Sequence, residues 1–129
     1  MNEKTINIAG QEVKMIYCAA TENVYEDTSK KSIAVFIPHE NEKKELVIDA
    51  TIGDFLTLGY AGIVAAYVRD KKEVPIEFSY ILYNSTPNER NEIISSIIEL
   101  RTKWYAEPSV VAEKRKTEPK AEKKVKTKN

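Results

Sequence analysis

Cys18 and His39 are the only thiol and the only imidazole of the chain, so a thiol dyad would have to be built from them. Nothing in their spacing brings them together. Cys18 stands where a strand gives way to a helix, beside Ala19 and Ala20, the ordinary setting of a buried, inert thiol. His39 lies in a polar loop with Glu40, Glu42 and Lys43, where a solvated side chain is the leading reading and a weak metal contact the lesser one. A single Cys excludes an intramolecular disulfide framework, and one Cys with one His does not complete a structural zinc set without carboxylate help.

The remaining chemistry-bearing groups form no catalytic set. Glu26 with Asp27 closes a helix and Glu40 with Glu42 decorates a loop; neither pair has the convergent polar and aromatic partners that acid–base work needs. Gly53, Gly59 and Gly62 match no phosphate-cradling loop, which places several glycines just ahead of a helix so that amides can approach the anion. Asn84-Ser85-Thr86 matches a glycosylation sequon, but no secretory signal opens the chain. A noncatalytic protein with no metal and no cofactor is expected, in an intracellular, reducing compartment.

The 129 residues hold 20 basic and 20 acidic side chains, and the zero sum hides an asymmetry. Pro108 to Asn129 carries eight basic and three acidic residues, net +5, which leaves the first 107 residues at −5. The tail has no aromatic residue and only Val110, Val111 and Val125 as sizeable apolar groups, too little to offset the entropy of ordering it. One folded domain over residues 1–107 is expected, with a disordered Lys-rich tail over 108–129, helical at most near Val110 to Lys116. Such a tail can neutralise phosphates in a nonspecific, salt-dependent way, although it lacks base-stacking aromatics and its body is acidic. Phe55 to Val68 is the most apolar stretch. At fourteen residues it is short of the roughly twenty that span a bilayer, so it reads as a buried core helix.

Periodicity supplies the elements. Thr5 to Ile8 and Glu12 to Tyr17 alternate around the turn Ala9-Gly10-Gln11, a β-hairpin with Val13, Met15 and Tyr17 on one face. Cys18 to Asp27 reads as a helix ending near Thr28, with Ala19, Ala20 and Val24 on its apolar face. Ser32 to Ile37 alternates and Glu45 to Ile48 is apolar and β-branched, which suggests a second hairpin across the polar break Pro38 to Lys44. From Asp49 or Thr51 a long helix runs to about Arg69, and its Gly59, Gly62 and Ala66 leave one side nearly bare, so that another helix or backbone can come close. Ile76 to Tyr83 reads as a short helix, a strand of the same composition being the alternative. Thr86-Pro87-Asn88-Glu89 is a capping box with Pro at the first helical position, opening a helix striped by Ile93, Ile94, Ile97, Ile98, Leu100, Trp104 and Tyr105 up to Pro108. The fold class is α+β: an N-terminal hairpin and a mainly helical body.

Ile6-Asn-Ile-Ala-Gly10-Gln-Glu-Val-Lys-Met-Ile-Tyr17, followed by a helix and by Tyr25-Glu26-Asp27-Thr28-Ser29-Lys30-Lys31-Ser32-Ile33, resembles the opening of tail assembly chaperones of long-tailed, siphovirus-like bacteriophages. In that family a hairpin with a Gly turn leads into a helix ending in a Tyr-Glu-Glu-x-Thr-Gly-Lys-Ser-like segment, then a helical body and a charged C-terminus. The resemblance spans about residues 4 to 105. The family's helix-ending glycine corresponds to Lys30, where a left-handed conformation costs on the order of 1 kcal/mol, so either Lys30 bears that strain or the helix ends differently. Residues 33 to 50 have no counterpart.

The resemblance implies a chaperone that holds the helical tape-measure protein soluble in the host cytoplasm while tail tube subunits polymerise around it, with tail tube protein a second partner and self-association open. In several members a translational frameshift yields a longer minor product, and this chain would be the short form. A groove for an amphipathic helix is sought around Gly59, Gly62 and Ala66, or beside Tyr67, Tyr80, Tyr83 and Trp104, with core building as the competing role of these residues. Two other classes stand beside it: a small phage-type protein that binds nucleic acid or a host protein through the basic tail, and, last, an enzyme built on Cys18.

Overall fold

A computed structural model of the chain describes residues 1–107, and the Lys-rich tail over 108–129 lies outside the described residues. The strands β1 (Glu3–Ile8) and β2 (Gln11–Ile16) pair antiparallel with Ile8 opposite Gln11. Ala9 and Gly10, at φ 49° and 86°, both have the positive φ that a two-residue type I′ turn demands. Alternation sends Ile6, Ile8, Val13 and Met15 into the core and leaves Thr5, Asn7 and Glu12 in solvent.

The helix α1 (Ala19–Ser29) follows at once. Its buried face is Thr21 and Tyr25, whereas Ala19 and Ala20, expected to face the core, are exposed. The larger ring and the local bonding of Thr21 decide the rotation: its hydroxyl accepts the Cys18 N–H and donates to the Ile16 carbonyl, each at 3.1 Å. Lys30 ends α1 at φ 62° and ψ 21°, in the left-handed region, with its N–H on the Glu26 carbonyl. Lys30 therefore bears the strain that a glycine would avoid.

The second hairpin exists, but not where alternation placed it. Ile33–Phe36 is a 3₁₀ turn rather than a strand, started by the Ser32 hydroxyl, which accepts the Ala34 N–H at 3.1 Å. Phe36 is driven under the domain, edge-on to Tyr25 and Phe55 at ring separations of 5.1 and 5.0 Å. The strands are two residues each, β3 (His39–Glu40) and β4 (Leu46–Val47), and so fall partly within the expected polar break. Asn41 makes that turn by accepting the N–H groups of Lys43 and Glu45 on its side-chain oxygen, both at 2.9 Å.

The long helix α2 (Ile52–Arg69) is capped by Thr51 and Asp54, each bonding the other's main-chain N–H. Asp54 is almost buried, yet it also accepts the Tyr25 hydroxyl and the Lys31 ammonium, each at 3.1 Å. Burial raises its carboxyl, and the hydrogen bonds from Thr51, Lys31 and Tyr25 outweigh that and hold it below the ordinary value. No helix among the described residues is long and apolar enough to cross a membrane. The short helix is α3 (Phe78–Asn84), beginning two residues later than expected, with Ile81 buried. The last is α4 (Pro87–Ala106), opened by the expected Thr86–Glu89 capping box and burying Ile93, Ile97 and Leu100. Ile98 and Tyr105, included in the stripe on sequence grounds, lie at its margin and stay exposed.

The helices α2 and α4 lie side by side against the buried face of the hairpin, α2 against β2 and α4 mainly against β1. Polar ties join the same parts: Arg69 to Glu3 at 2.8 Å, Lys14 to Asp70 at 3.0 Å, Lys4 to Glu99 at 2.9 Å. Gly59 and Gly62 set the spacing. A Cβ on Gly59 would stand 2.4 Å from Cγ2 of Ile93, and one on Gly62 would stand 2.7 Å from the Ile16 carbonyl oxygen.

Two substitutions test this account. Gly62→Ala should destabilise by about 2 kcal/mol despite alanine's better helix propensity, because the Ile16 backbone cannot yield. Gly53→Ala, whose Cβ would meet nothing nearer than Thr51 Oγ1 at 3.6 Å, should instead be neutral or stabilising, and coincident urea midpoints for the two would refute the packing argument. Lys30→Gly should stabilise by about 1 kcal/mol through relief of the left-handed strain; a lower melting temperature would show that Lys30 is not strained.

Candidate partner-binding surface

The seven residues singled out by sequence end up in three different situations. Gly59, Gly62 and Ala66 are buried, and the close approach expected at this small-residue face is made by the chain's own α4 and β2. Tyr67, Tyr80 and Trp104 are half-buried. The Tyr67 hydroxyl accepts the Lys14 N–H at 3.3 Å, and the Tyr80 hydroxyl donates to the Ala9 carbonyl at 2.9 Å. Both tyrosines thereby hold the hairpin in place. Trp104 packs on Tyr17 and Tyr105 at ring separations of 5.5 and 4.9 Å. Tyr83 alone is free, 86% exposed on α3.

Tyr83 borders a shallow depression of 320 Å³ with Pro75, Ile76, Tyr80 and Asn84. Leu82, one position away, is 51% exposed. Glu77 and Ser79 also line the depression, so its aromatic surface is bordered by polar groups. Its position follows from Pro75, which ends the connector after α2, and from Ile81, whose burial turns Leu82 and Tyr83 outward on a helix too short to hide three successive residues.

Two further features were not anticipated. Leu46 and Ile52 are each 72% exposed, with Ile37 and Ile48 less so, around the second hairpin. The apolar run Leu46 to Ile48 was visible, but its exposure depends on β3 and β4 pairing away from the core. Near the C-terminal end of α4, Glu22 accepts the hydroxyls of Tyr17, at 2.7 Å, and of Tyr105. Burial first, and then the Glu22 carboxylate, push the Tyr17 phenol far above its usual value, so that it stays protonated. The Arg101 guanidinium lies 4.9 Å from the Tyr105 ring centroid. On the other side of Trp104 a recess of 240 Å³ is lined by Met1, Asn2, Tyr17, Leu100 and Glu107. Tyr105 is too far in sequence from Tyr17 and Glu22 for any spacing rule to join it to them.

Cys18 is half-buried at the start of α1 beside Thr21, and His39 is engaged with Asp49, so the two do not form a pair. Among the described residues no three His, Cys, Asp or Glu side chains are grouped to hold a metal ion. The arrangement can present apolar and aromatic surface. These features define a small α+β domain with an exposed aromatic face. No family model, no curated protein sequence and no solved structure matches the chain.

The ion pair of the second hairpin gives a pH signature. His39 Nε2 lies 3.0 Å from Asp49 Oδ1, and this hydrogen bond raises the imidazole above its ordinary value. A raised folded-state value means that the contribution is complete below the unfolded value, about 6.5, and is lost as pH rises through the higher folded value. The β3–β4 hairpin should therefore loosen as pH rises above about 6.5 and through the raised value of His39. Proton NMR titration of His39 should report the raised value, and Asp49→Asn should lower it. An unchanged titration in Asp49→Asn would remove Asp49 as the cause.

Proposed function

We propose that this protein is a noncatalytic tail assembly chaperone of the siphovirus type, which binds the helical tape-measure protein in the host cytoplasm and keeps it soluble during tube assembly. The observation that carries the proposal is the end of α1. Hairpin, helix and left-handed terminus follow one another as in the family that the sequence resembles, and Lys30 holds the left-handed conformation at the position of the family's glycine, although lysine has no intrinsic preference for it. A left-handed lysine also follows α2, at Lys71, so the support lies in the order of hairpin, helix and left-handed terminus together.

The surface that we assign to the partner is the depression beside α3. An amphipathic helix offers apolar side chains at i, i+3, i+4 and i+7, and the exposed Tyr83, with Leu82 next to it, presents apolar surface for such a stripe at the border of the depression. The small-residue side of α2 is already filled by α4 and β2 and takes no part. The alternative, binding of nucleic acid or a host protein through the basic tail, draws support from the charge split at Pro108.

Co-expression with the tape-measure protein of the same genome should render that protein soluble and recover both in one complex. Tyr83→Ala should weaken the complex about tenfold without altering the melting temperature, since Tyr83 is exposed. Failure to copurify would refute the chaperone reading. A DNA gel shift abolished by deleting residues 108–129 would favour the alternative.

A further inference from the structure

The depression beside α3 is bordered by a carboxylate that the fold leaves without a counter-charge. Among the described residues that line it, Glu77 alone is charged. Glu77 stands at the N-cap of α3 but its side chain caps no amide, and among the described residues it makes no ion pair. Lys71 and Lys72 of the preceding connector do not line the depression, and Arg90, early in α4, is engaged with the Ser85 carbonyl at 2.8 Å. The charge of Glu77 reaches Tyr60, whose phenol is raised first by burial and then by this carboxylate.

Covering this surface therefore has an electrostatic condition. A partner that seats itself on Tyr83 and the depression also takes water from Glu77, which lines the same hollow. A carboxylate covered only by apolar side chains loses its hydration with nothing in return, and a second carboxylate there adds repulsion. The occupant must bring a cation. Residues 1–107 carry net −5, which draws a basic partner in from a distance.

The rings decide which cation fits. Glu77, Tyr80 and Tyr83 follow one another at i, i+3 and i+6, a row in which each side chain neighbours the next and Tyr80 stands in the middle. The Tyr80 hydroxyl is tied to the Ala9 carbonyl at 2.9 Å, which fixes its ring, whereas the Tyr83 ring is 86% exposed and open to stacking. A guanidinium is planar and weakly hydrated, so it can lie on a tyrosine ring while its N–H groups still reach a carboxylate and an amide oxygen such as that of Asn84. A compact, strongly hydrated ammonium makes a poorer match to this row. We propose that the depression takes an arginine side chain of the partner, its guanidinium over Tyr80 between the Tyr83 ring and the Glu77 carboxylate. The inference rests on the assignment of this face to the partner and adds the charge that the occupant carries.

The probe is the acetylated, amidated helical peptide Ala-Leu-Gln-Ala-Leu-Arg-Gln-Ala-Leu-Gln-Ala-Leu-Gln, compared with versions that carry lysine or citrulline, the uncharged isostere, in place of the arginine. Each is titrated into the full isotope-labelled chain while the Tyr83 ring and the Asn84 side-chain amide are followed by NMR. The arginine peptide should bind about tenfold more tightly than the citrulline peptide. Glu77→Gln should bring those two to equal affinity with the melting temperature unaltered, since the Glu77 side chain caps nothing. Equal binding of the arginine and citrulline peptides would overturn the proposal and leave the docking face standing, and absence of binding by every peptide at millimolar concentration would overturn both. The arginine is also refuted if the lysine peptide binds as tightly, or if Glu77→Gln preserves the preference for arginine over citrulline. Tighter binding of the arginine peptide to the Arg115→Gln chain would give the site to the chain's own tail instead.

Discussion

The close contact at Gly59 and Gly62 is the constraint on which the domain depends. With no side chain at these two positions, α2 lets Ile93 and Ile97 of α4 in from one side and the backbone of Ile16 in from another. Hairpin, long helix and last helix therefore meet in one layer of contact, and Met15, Ile63 and Leu58 can be fully buried around it. Any side chain there would push α4 or β2 outward and open the core along its length.

The polar interactions refine that contact rather than create it. Asp54 joins α1, α2 and the segment after Lys30 through Tyr25, Thr51 and Lys31. The turn of the first hairpin is held by Glu89, which accepts the Ala9 N–H at 3.1 Å, and by Tyr80. Residues that carry aromatic surface are in this way divided between two tasks. Those with a hydroxyl in reach of the hairpin backbone are spent on architecture, and Tyr83, with no such partner, is left for the exterior.

Much of this was legible in the residues, for local reasons. The type I′ turn at Ala9-Gly10, the Thr86 capping box and the bare side of α2 each depend on a few neighbours, and each stands where the pattern placed it. The misread segments are those in which distant packing wins. Ser32 to Ile37 alternates like a strand, but Phe36 is needed between Tyr25 and Phe55, and a 3₁₀ turn delivers it there. Ala20 sits on a helical face with Val24, yet Tyr25 offers far more area to bury and rotates α1 accordingly. The candidate surface was half legible for the same reason. Small residues and aromatics could be found by type, but only the fold separates the tyrosines that pin a turn from the one that faces outward.

The hairpin at one end of the described chain is covered by the helix at the other, and this orders events during synthesis. Ile6, Ile8, Val13 and Met15 are made well before α4, whose Ile93, Ile97 and Leu100 complete their shelter. At ordinary translation speeds the interval between Tyr17 and Glu107 is between about 4 and 18 seconds. Throughout that time the nascent chain carries an apolar sheet face without its lid. Its growing end must therefore stay clear of neighbouring chains until the last helix emerges and closes over the first strands.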